Sequence, residues 1–474
     1  MFYWLKWKRL VLVKIVSDIN KSIFRPYDIR GIYPSDIDKD VAYTIGLSYG
    51  TKLLQIGKDK CIVGHDNRYS SLEVSLALTI GILSTGVDVT WLGLVTTPMC
   101  MYAREILKIP SYIMVTASHN PKDDNGFKFA FDESGNVKGD EMFEFRDFTL
   151  AGKFEKGIGT YSKYDMYKDY LKMLREGINL GKKRLKVVLD LANGTTSCIA
   201  RRAYEQFDID LTIINEKSDS SFPNHHPDPC VVENQYQLRD KVLELGADIG
   251  IGFDGDGDRC AVVDDKGNIL ASDQYMAIMA IPIITNNDDK RILFDVKCSD
   301  LLKNEIVKWG GTPICYRTGA SYTCAKVKDD NILFGGEYSG HLYFNDRIPP
   351  IGCGLYAGLR MVELLSKSDK KLSDYYEGLD KYYSTQELKF SSPDVIKNKV
   401  IADIKKYCIN MRFKIDDTDG IKIIKKNGWA LIRVSNTGPN ITARFESDTE
   451  EGLFSLKREF TNLINYFNKE SVEA

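Results

Sequence analysis

The chain has 474 residues, which is too long for one hydrophobic core, because single cores seldom grow beyond about 250 residues. Its 64 basic and 66 acidic residues give a formal net charge of −2, which argues against a nucleic-acid-binding surface. The ten cysteines form no Cys-x-x-Cys pair and no apolar stretch reaches about 18 residues, so we expect a cytoplasmic protein with reduced thiols and no transmembrane segment.

The first 17 residues combine aromatic, basic and apolar side chains. Lys14 interrupts the only apolar run, and no small-residue cleavage site follows, so the segment has the features of neither a signal peptide nor an anchor. We expect residues 1–20 to be an N-terminal extension, either an appended tail or the result of a start codon assigned too early. A helix lying on a membrane surface is the alternative.

A strand, a polar loop, a helix and a second strand recur three times along the chain. The three units begin at residues 61–68, 185–194 and 291–299, and each spans about thirty residues, as a βαβ unit does. Their starts lie roughly a hundred residues apart, which is too far for one sheet built of adjacent units. The pattern therefore predicts three related α/β domains with mixed sheets.

The last hundred or so residues have a different pattern. Residues 421–424 and 429–434 are typical of two strands joined by Asn427-Gly428, a hairpin-turn dipeptide. A strand at 441–445 and a helix from about Thr449 complete a predicted C-terminal α+β domain. The lysine-rich segments near 367–372 and 395–406 are expected to be solvated faces. The predicted domains are the extension at 1–20, the α/β domains at 21–163, 164–268 and 269–382, and the α+β domain at 383–474.

Three carboxylates alternate with glycine directly after the apolar run 249–253: Asp254, Asp256 and Asp258. The glycines allow a tight turn in which the acids converge, and Mg²⁺ prefers such hard oxygen ligands. The spacing also opens an EF-hand loop, but Arg259 stands where that loop requires glycine, and a strand precedes it instead of a helix. A solvated acidic turn is the other alternative.

Ser118 lies in the loop Thr-Ala-Ser-His-Asn-Pro at residues 116–121, after a predicted strand at 112–115. The adjacent His119 suggests a hydrolase, but the glycines of a nucleophile elbow are missing. Taken alone, Ser118 is typical of a turn. Together with the acidic loop it becomes a candidate phosphate carrier, because a phosphoserine offers nearly two negative charges and three acceptor oxygens, one of which can complete a metal's coordination.

Five ordered motifs resemble those of the α-D-phosphohexomutases, most closely the bacterial and archaeal phosphomannomutase/phosphoglucomutase branch. They extend over nearly the whole chain. The motifs are Phe-Arg-Pro-Tyr-Asp-Ile-Arg-Gly at 24–31, the serine loop with Asn-Gly-Phe-Lys at 125–128, Phe-Asp-Gly-Asp-Gly-Asp-Arg at 253–259, Gly-Glu-Tyr-Ser-Gly-His at 336–341, and Arg-Val-Ser-Asn-Thr-Gly-Pro at 433–439.

The resemblance implies a heart-shaped enzyme whose four domains surround a central cleft. It implies that Ser118 is a phosphoserine that holds Mg²⁺ together with the three aspartates. The enzyme would interconvert hexose 6-phosphate and hexose 1-phosphate of mannose, glucose or both. A hexose 1,6-bisphosphate is the expected intermediate and activator, hexose phosphates are the expected small-molecule partners, and the protein is expected to be a monomer or a homodimer.

Further residues receive roles from the same motifs. A desolvated cleft is expected to lower the pKa of Lys128 enough for it to exchange protons with the attacking hydroxyl. Arg30 is expected to act electrostatically, because a guanidinium does not deprotonate, while His119 and His341 are further catalytic candidates. Glu337 and Ser339 resemble sugar-hydroxyl readers. The predicted substrate-binding residues are Tyr27, Arg259, Lys297, Glu337, Ser339, Arg433, Ser435, Asn436 and Thr437, of which the last four resemble the clamp for the non-reacting phosphate.

The chain departs from the family pattern at two places. Ala320 stands where histidine is common, and Gly352-Cys353 lacks the paired acids usual before Gly-x-Tyr. These changes leave the phosphate chemistry intact but bear on substrate choice and rate. A phosphoglucosamine mutase, a non-catalytic sugar-phosphate-binding relative and an acyl hydrolase are the alternatives. The paired histidines at 225 and 226 are expected to form a rigid turn instead of a metal site.

Overall fold

The computed structural model describes residues 12–435 and 438–473. These residues form two compact units. The first unit contains the described chain up to Ser272, together with residues 324–331 and 339–375, and the second contains residues 273–323, 332–338 and the described chain from Tyr376 onwards. Within the described ranges, none of the helices combines the length and apolarity needed to span a bilayer.

The first α/β domain is built on a six-stranded mixed sheet of order β1-β5-β4-β2-β3-β6. The predicted βαβ unit is present, since β2 pairs in parallel with β3 and α2 connects them. Strand β5 is antiparallel to β1 and β4. The elements are β1 (Ile29–Ile32), α1 (Lys39–Gln55), β2 (Lys60–His65), α2 (Ser71–Leu83), β3 (Asp88–Leu94), α3 (Thr97–Leu107), β4 (Tyr112–Val115), β5 (Asp124–Ala130), α4 (Asp140–Ala151) and β6 (Tyr161–Lys163).

The second domain has a five-stranded mixed sheet of order β11-β10-β9-β7-β8. Strands β7, β8 and β9 are parallel, while β10 and β11 are antiparallel additions. The predicted helix after Thr195 is divided into a 3-10 turn, Thr195–Cys198, and a short helix. The elements are α5 (Tyr167–Gly177), β7 (Lys186–Asp190), α6 (Ala200–Tyr204), β8 (Asp210–Ile214), α7 (Tyr236–Leu245), β9 (Ile249–Phe253), β10 (Cys260–Asp264) and β11 (Ile269–Leu270).

The third βαβ unit lies in the second compact unit. Strand β12 pairs in parallel with β13 and with β14. Ser299 caps the connecting helix, because its hydroxyl accepts a hydrogen bond from the N–H of Leu301. The elements between residues 272 and 377 are α8 (Ser272–Asn286), β12 (Arg291–Asp295), α9 (Asp300–Lys308), β13 (Thr312–Tyr316), α10 (Ala320–Asp329), β14 (Phe334–Gly336), β15 (Leu342–Phe344), α11 (Gly354–Ser366) and α12 (Leu372–Glu377). Of these, β15 and α11 belong to the first compact unit.

The C-terminal domain is an antiparallel sheet of order β16-β21-β20-β19-β18, with β17 also paired to β21. The lysine-rich segment near 395–406 is not merely a solvated face, because it belongs to α13, whose Val400, Ile404 and Cys408 are buried in the domain core. The elements are β16 (Tyr383–Ser384), β17 (Leu388–Ser391), α13 (Lys397–Asn410), β18 (Lys414–Asp416), β19 (Ile421–Lys425), β20 (Gly428–Val434), β21 (Asn440–Ser447) and α14 (Glu450–Glu473). The predicted fold class is confirmed: three α/β domains precede a C-terminal α+β domain.

Candidate active site

Ser118 lies in the turn after β4 and is fully buried. Its hydroxyl donates a hydrogen bond of 2.9 Å to Asp254 Oδ2, and its backbone N–H donates to Thr116 Oγ1 at 2.9 Å. Its φ of 52° lies in the left-handed region, which is uncommon for a residue with a side chain. Arg68 helps to hold this conformation by donating to the Ser118 carbonyl at 2.7 Å. The serine is thereby fixed with its hydroxyl against the acidic loop.

The acidic loop connects β9 to β10 and brings its three carboxylates together. Asp254, Asp256 and Asp258 are buried, and one carboxylate oxygen from each lies within 4.8 Å of the others. Burial, reinforced by the neighbouring carboxylates of Asp258 and Asp256, raises the pKa of Asp254 well above its usual value. Asp256 Oδ1 is buried without a hydrogen-bond partner among the described residues. A set of converging carboxylate oxygens with an unsatisfied member fits a hard divalent cation.

Close backbone contact joins the serine loop to the acidic loop. A Cβ atom at Gly255 would lie 2.4 Å from the Ser118 carbonyl oxygen, so this approach requires glycine. The acidic loop is also held from its other sides. Thr97 N–H donates to the Asp256 carbonyl at 3.0 Å, and Thr195 N–H donates to the Gly255 carbonyl at 2.9 Å. The distance from the serine to the carboxylates is therefore set largely by main-chain contacts.

Lys128, on β5, reaches the same loop. Its Nζ lies 2.7 Å from Asp256 Oδ2 and 2.6 Å from Asp258 Oδ2. Burial alone would lower the pKa of Lys128, but the two carboxylates outweigh burial and raise this pKa above its usual value. The prediction of a lowered pKa is therefore wrong, because the ammonium faces two carboxylates instead of an apolar cleft. In this arrangement Lys128 is a cation and a hydrogen-bond donor.

Arg259 and His341 complete the polar wall beside the acidic loop. The backbone N–H of Arg259 donates to Asp254 Oδ1 at 3.2 Å, and its Nε lies 3.3 Å from His341 Nε2. The same imidazole nitrogen is 3.3 Å from Asp258 Oδ1, while His341 Nδ1 is 2.9 Å from Ser339 Oγ. The structure thus brings His341 and Ser339 beside Arg259, which lies far from them in the sequence, and places all three next to the candidate metal ligands.

His119 lies next to the serine hydroxyl, with Nδ1 3.4 Å from Ser118 Oγ. Burial, followed by the positive charges of Arg259, Arg30 and Lys128, holds the pKa of His119 well below its usual value. The imidazole is therefore neutral at pH 7. It can donate or accept one hydrogen bond at each nitrogen according to its tautomer, but it does not supply a positive charge.

Arg30, on β1, holds the serine loop in place by hydrogen bonds. Its Nε donates to Asp28 at 2.7 Å, and its Nη1 donates to the Ala117 carbonyl at 3.1 Å and to Asn120 Oδ1 at 2.5 Å. These bonds agree with an orienting and electrostatic role. Tyr27 is half-buried in the segment that leads into β1.

The second unit contains a separate charged cluster, formed around β12, β14 and the C-terminal sheet. Glu337 Oε1 accepts hydrogen bonds from Gly319 N–H at 2.5 Å and from Thr323 Oγ1 at 3.1 Å. Lys297 Nζ lies 3.2 Å from Glu387 Oε2. Burial opposes ionisation of Glu387, but Lys297 and then Arg433 prevail and lower its pKa to about 2. Both predicted residues, Glu337 and Lys297, are thus held by defined partners.

The predicted phosphate clamp follows β20 in this unit. Arg433 is buried, and its Nε donates a hydrogen bond of 3.1 Å to Asp419 Oδ2. Ser435 is also buried, directly after the strand. Asn436 and Thr437 lie outside the described residues, so their predicted part in the clamp has no structural counterpart here.

Four side chains that organise these sites were missed by the sequence reasoning: Arg68, Thr97, Glu387 and Asp419. Each acts on residues far away in sequence, as Thr97 does by donating to Asp256 Oδ2 at 2.5 Å. The Asp-Gly dipeptide at 419–420, directly before the predicted strand at 421–424, was a signal for Asp419. Nothing comparable marked Glu387.

The two departures from the family pattern have local structural roles. Ala320 is the first residue of α10. Cys353 caps α11, since its sulfur accepts a hydrogen bond from the N–H of Tyr356 at 3.3 Å and lies 3.0 Å from the Tyr170 hydroxyl. The thiol therefore takes the capping position at the start of that helix, which Ser, Thr, Asp or Asn more often occupies.

Known proteins resemble this chain along most of its length. Four successive segments match the phosphoglucomutase/phosphomannomutase family: α/β/α domain I at residues 21–156, domain II at 167–267, domain III at 271–382 and the C-terminal domain at 387–463. A phosphomannomutase/phosphoglucomutase from Pseudomonas aeruginosa is 35% identical over 444 residues, covering 94% of this chain and 95% of that protein. A phosphoglucomutase from Neisseria gonorrhoeae is 32% identical over 460 residues, covering 95% and 98%.

A solved structure gives the same result. A phosphoglucomutase/phosphomannomutase family protein from Burkholderia thailandensis superimposes with a TM-score of 0.87 at 33% identity, covering 95% of this chain and 98% of that one. The chain therefore belongs to the phosphoglucomutase/phosphomannomutase family. It is accordingly a mutase, an enzyme of the isomerase class.

Proposed function

We propose that the enzyme interconverts hexose 6-phosphate and hexose 1-phosphate, of mannose, glucose or both, through a phosphoserine at Ser118 and a hexose 1,6-bisphosphate. The observation that carries this proposal is the 2.9 Å hydrogen bond from Ser118 to Asp254, which holds a hydroxyl against three converging carboxylates. The names of the relatives from Pseudomonas aeruginosa and Neisseria gonorrhoeae support the choice of sugars.

Mg²⁺ is the cation we assign to Asp254, Asp256 and Asp258, with a phosphate oxygen on Ser118 as a further ligand. When bound, it would neutralise charge on the phosphoryl group during transfer. In the first step the bond from phosphorus to Ser118 Oγ breaks and a bond to a sugar hydroxyl oxygen forms. In the second step the bond from the other phosphorus to its sugar oxygen breaks and a bond to Ser118 Oγ forms, while the serine proton passes to the sugar oxygen.

The neighbouring side chains supply positive charge and orientation. Lys128 remains protonated and donates hydrogen bonds to the transferring group, while Arg259, whose Nε lies 3.8 Å from Asp254 Oδ2, adds a second fixed cation. Arg30 orients the serine loop. His119 and His341 stay our further catalytic candidates, because their imidazole nitrogens can form hydrogen bonds to the reacting groups while the proton of the attacking hydroxyl passes to Ser118 Oγ.

Substrate recognition is assigned to the remaining predicted residues. Glu337 and Ser339 would bind sugar hydroxyls, since a carboxylate accepts hydrogen bonds and a hydroxyl both donates and accepts them. The non-reacting phosphate would be bound by guanidinium, ammonium, hydroxyl and amide donors. We assign this phosphate to Lys297, Arg433, Ser435, Asn436 and Thr437, with Tyr27 as a further substrate contact.

The remaining expectations concern the protein's surroundings. All ten cysteines are free thiols, which supports placement in a reducing compartment such as the cytoplasm. Hexose 1,6-bisphosphate is proposed as an activator that restores phosphate to Ser118 after an intermediate escapes. The oligomeric state, a monomer or a homodimer, remains a prediction.

A mutase assay with four substrates tests the proposal. Purified protein with Mg²⁺ and a trace of glucose 1,6-bisphosphate is given glucose 1-phosphate, mannose 1-phosphate, glucosamine 1-phosphate or N-acetylglucosamine 1-phosphate, and formation of the 6-phosphate is measured. We expect turnover of the glucose or mannose compound and intact-mass detection of one phosphate on Ser118. Preference for glucosamine 1-phosphate would instead indicate a phosphoglucosamine mutase. Absence of both turnover and phosphate would indicate a non-catalytic relative.

A further inference from the structure

Asp419 lies in the tight turn between β18 and β19 and contacts two functional segments with one oxygen. Its Oδ2 accepts a hydrogen bond of 3.1 Å from Arg433 Nε and lies 3.0 Å from Arg433 Nη2. The same oxygen accepts the backbone N–H of Thr318 at 3.0 Å. The carboxylate is 12% exposed and the guanidinium 5% exposed, so water screens this ion pair little.

The turn is held against the Arg433 strand by a close approach. Gly420 has φ of 76°, and a Cβ atom at this position would lie 2.5 Å from the Arg433 Cβ. Only glycine fits such a contact without a shift of the backbone. The position of Asp419 relative to Arg433 is therefore determined by the main chain.

The segment that Asp419 holds also contacts the proposed sugar-reading carboxylate, that of Glu337. Gly319 N–H donates to Glu337 Oε1 at 2.5 Å, and Thr318 Oγ1 donates to Asp295 Oδ2 at 2.9 Å. A continuous series of bonds thus runs from Arg433 through Asp419 and the peptide of residues 318–319 to Glu337.

We propose that Asp419 is a positioning and specificity-determining residue that fixes the phosphate-binding Arg433 relative to the sugar-reading Glu337. Its ion pair sets the plane of the guanidinium, and its bond to Thr318 fixes the loop from which Glu337 is held. The roles of Arg433 and Glu337 rest on the proposed function, whereas the link through Thr318 is a property of the fold. Asp419 thereby fixes the distance between the phosphate subsite and the sugar subsite, and this distance helps to determine which sugar is bound.

Two substitutions separate the two bonds of Asp419. Asp419→Asn removes the charge but keeps an oxygen that can accept the Thr318 N–H, and Asp419→Ala removes both interactions. Asp417→Asn is the matched control, because Asp417 lies two residues away in the same turn with its side chain 62% exposed and paired to Lys405. Steady-state kinetics with glucose 1-phosphate and mannose 1-phosphate are combined with amide hydrogen exchange of peptides that contain Thr318.

We expect both Asp419 variants to raise KM for either sugar phosphate by about tenfold, the size of one charge-assisted hydrogen bond, with a smaller change in kcat. Asp419→Ala should also speed exchange at Thr318 and change the ratio of kcat/KM between glucose and mannose by about threefold or more. Asp419→Asn should keep that ratio and the slow exchange. The control should behave as wild type in every measurement.

Two results would overturn the inference. One is a folded Asp419→Ala protein whose Thr318 exchange and sugar ratio equal those of the wild type. The other, which applies even if the alanine variant does not fold, is an Asp419→Asn protein with unchanged KM. If the wild-type protein turned over neither sugar phosphate, the proposed function would fail, and the exchange measurement would still decide whether Asp419 holds the Thr318 loop.

Discussion

The acidic loop of the first unit and the Arg433 cluster of the second unit are both buried and highly charged, yet their charges are matched differently. In the acidic loop three carboxylates face two cations, since Lys128 lies 2.7 Å from Asp256 and 2.6 Å from Asp258, while Arg259 lies 3.8 Å from Asp254. Asp256 Oδ1 has no hydrogen-bond partner among the described residues. In the second cluster each cation faces a carboxylate, with Arg433 3.0 Å from Asp419 and Lys297 3.2 Å from Glu387.

This difference in charge balance fits the two roles proposed for the regions, phosphoryl transfer and ligand recognition. A site that stabilises negative charge on a transferring phosphoryl group can rely on a bound metal ion for part of the positive charge. A site that recognises a ligand benefits when its side chains already occupy their binding positions, since less conformational entropy is then lost on binding. On the proposed function, a divalent cation would complete the first region, whereas the side chains of the second region are already held by their partners.

The largest expected effect comes from Ser118→Ala, which removes the phosphate carrier. Turnover should fall by about 10⁴-fold or more, as when a nucleophile is removed, and the fraction heavier by one phosphate should vanish from the intact-mass spectrum. Ser134→Ala, at an exposed serine of the same domain, is the control. An active Ser118→Ala enzyme would show that phosphate is carried elsewhere.

Removing one carboxylate of the acidic loop should have the next largest effect. Asp256→Asn is expected to weaken Mg²⁺ binding, measured by calorimetry, and to lower kcat by about 10²- to 10³-fold, since a catalytic metal is worth several kcal/mol. Asp240→Asn, at a side chain 65% exposed, should change neither quantity. Chelation of divalent cations should abolish wild-type turnover. Turnover that persists in chelator would contradict the metal assignment. It would also remove the proposed difference between the acidic loop and the Arg433 cluster.

A smaller loss is expected in the preformed region. Arg433→Ala should raise KM for hexose 1-phosphate and hexose 6-phosphate alike by about ten- to a hundredfold, because a charge-assisted hydrogen bond to phosphate is worth about 1.5–3 kcal/mol. Arg458→Ala, at an exposed arginine on α14, controls for loss of charge. Thermal melting of both variants tests folding, since Asp419 loses its partner. Unaltered affinity for both monophosphates would place the clamp at other residues.

The smallest effect concerns stability, through an ion pair that belongs to neither of the two charged clusters. His225 Nε2 lies 3.0 Å from the buried Asp190, and although burial alone would lower the pKa of His225, this carboxylate outweighs burial and raises it. The protonated pair therefore stabilises the fold fully below the unfolded pKa of about 6.5, and this contribution is lost as pH rises through the higher folded pKa. His225→Gln should flatten the dependence of Tm on pH in that window. An equal slope in both proteins would mean that the pair contributes nothing.

Local sequence patterns were sufficient for the fold class and for part of the site. The three βαβ units follow from apolar periodicity and polar loops, and the Asn427-Gly428 hairpin follows from its turn dipeptide. The alternation of acids and glycines predicts convergence of Asp254, Asp256 and Asp258, because all three lie within one short loop.

The remaining features depend on contacts that sequence spacing does not reveal. The pKa of Lys128 is raised and not lowered because its partners, Asp256 and Asp258, lie 128 and 130 residues away. Asp419 and Glu387 acquire importance only through the cations that the fold places beside them. Helix α13 was not predicted because its lysines obscured the buried Val400, Ile404 and Cys408.

The contact between Gly255 and the Ser118 carbonyl has a consequence for how the enzyme can diversify. Main-chain atoms, which change little when side chains are substituted, hold Ser118, the proposed phosphate carrier, at a constant distance from the acids. If these roles hold, mutations that alter the proposed sugar-reading side chains of the second unit can accumulate without disturbing phosphoryl transfer. Position 255 itself should tolerate no other residue, whereas Gly57, with open space around its missing Cβ, leaves room for the small αL-compatible side chain of asparagine.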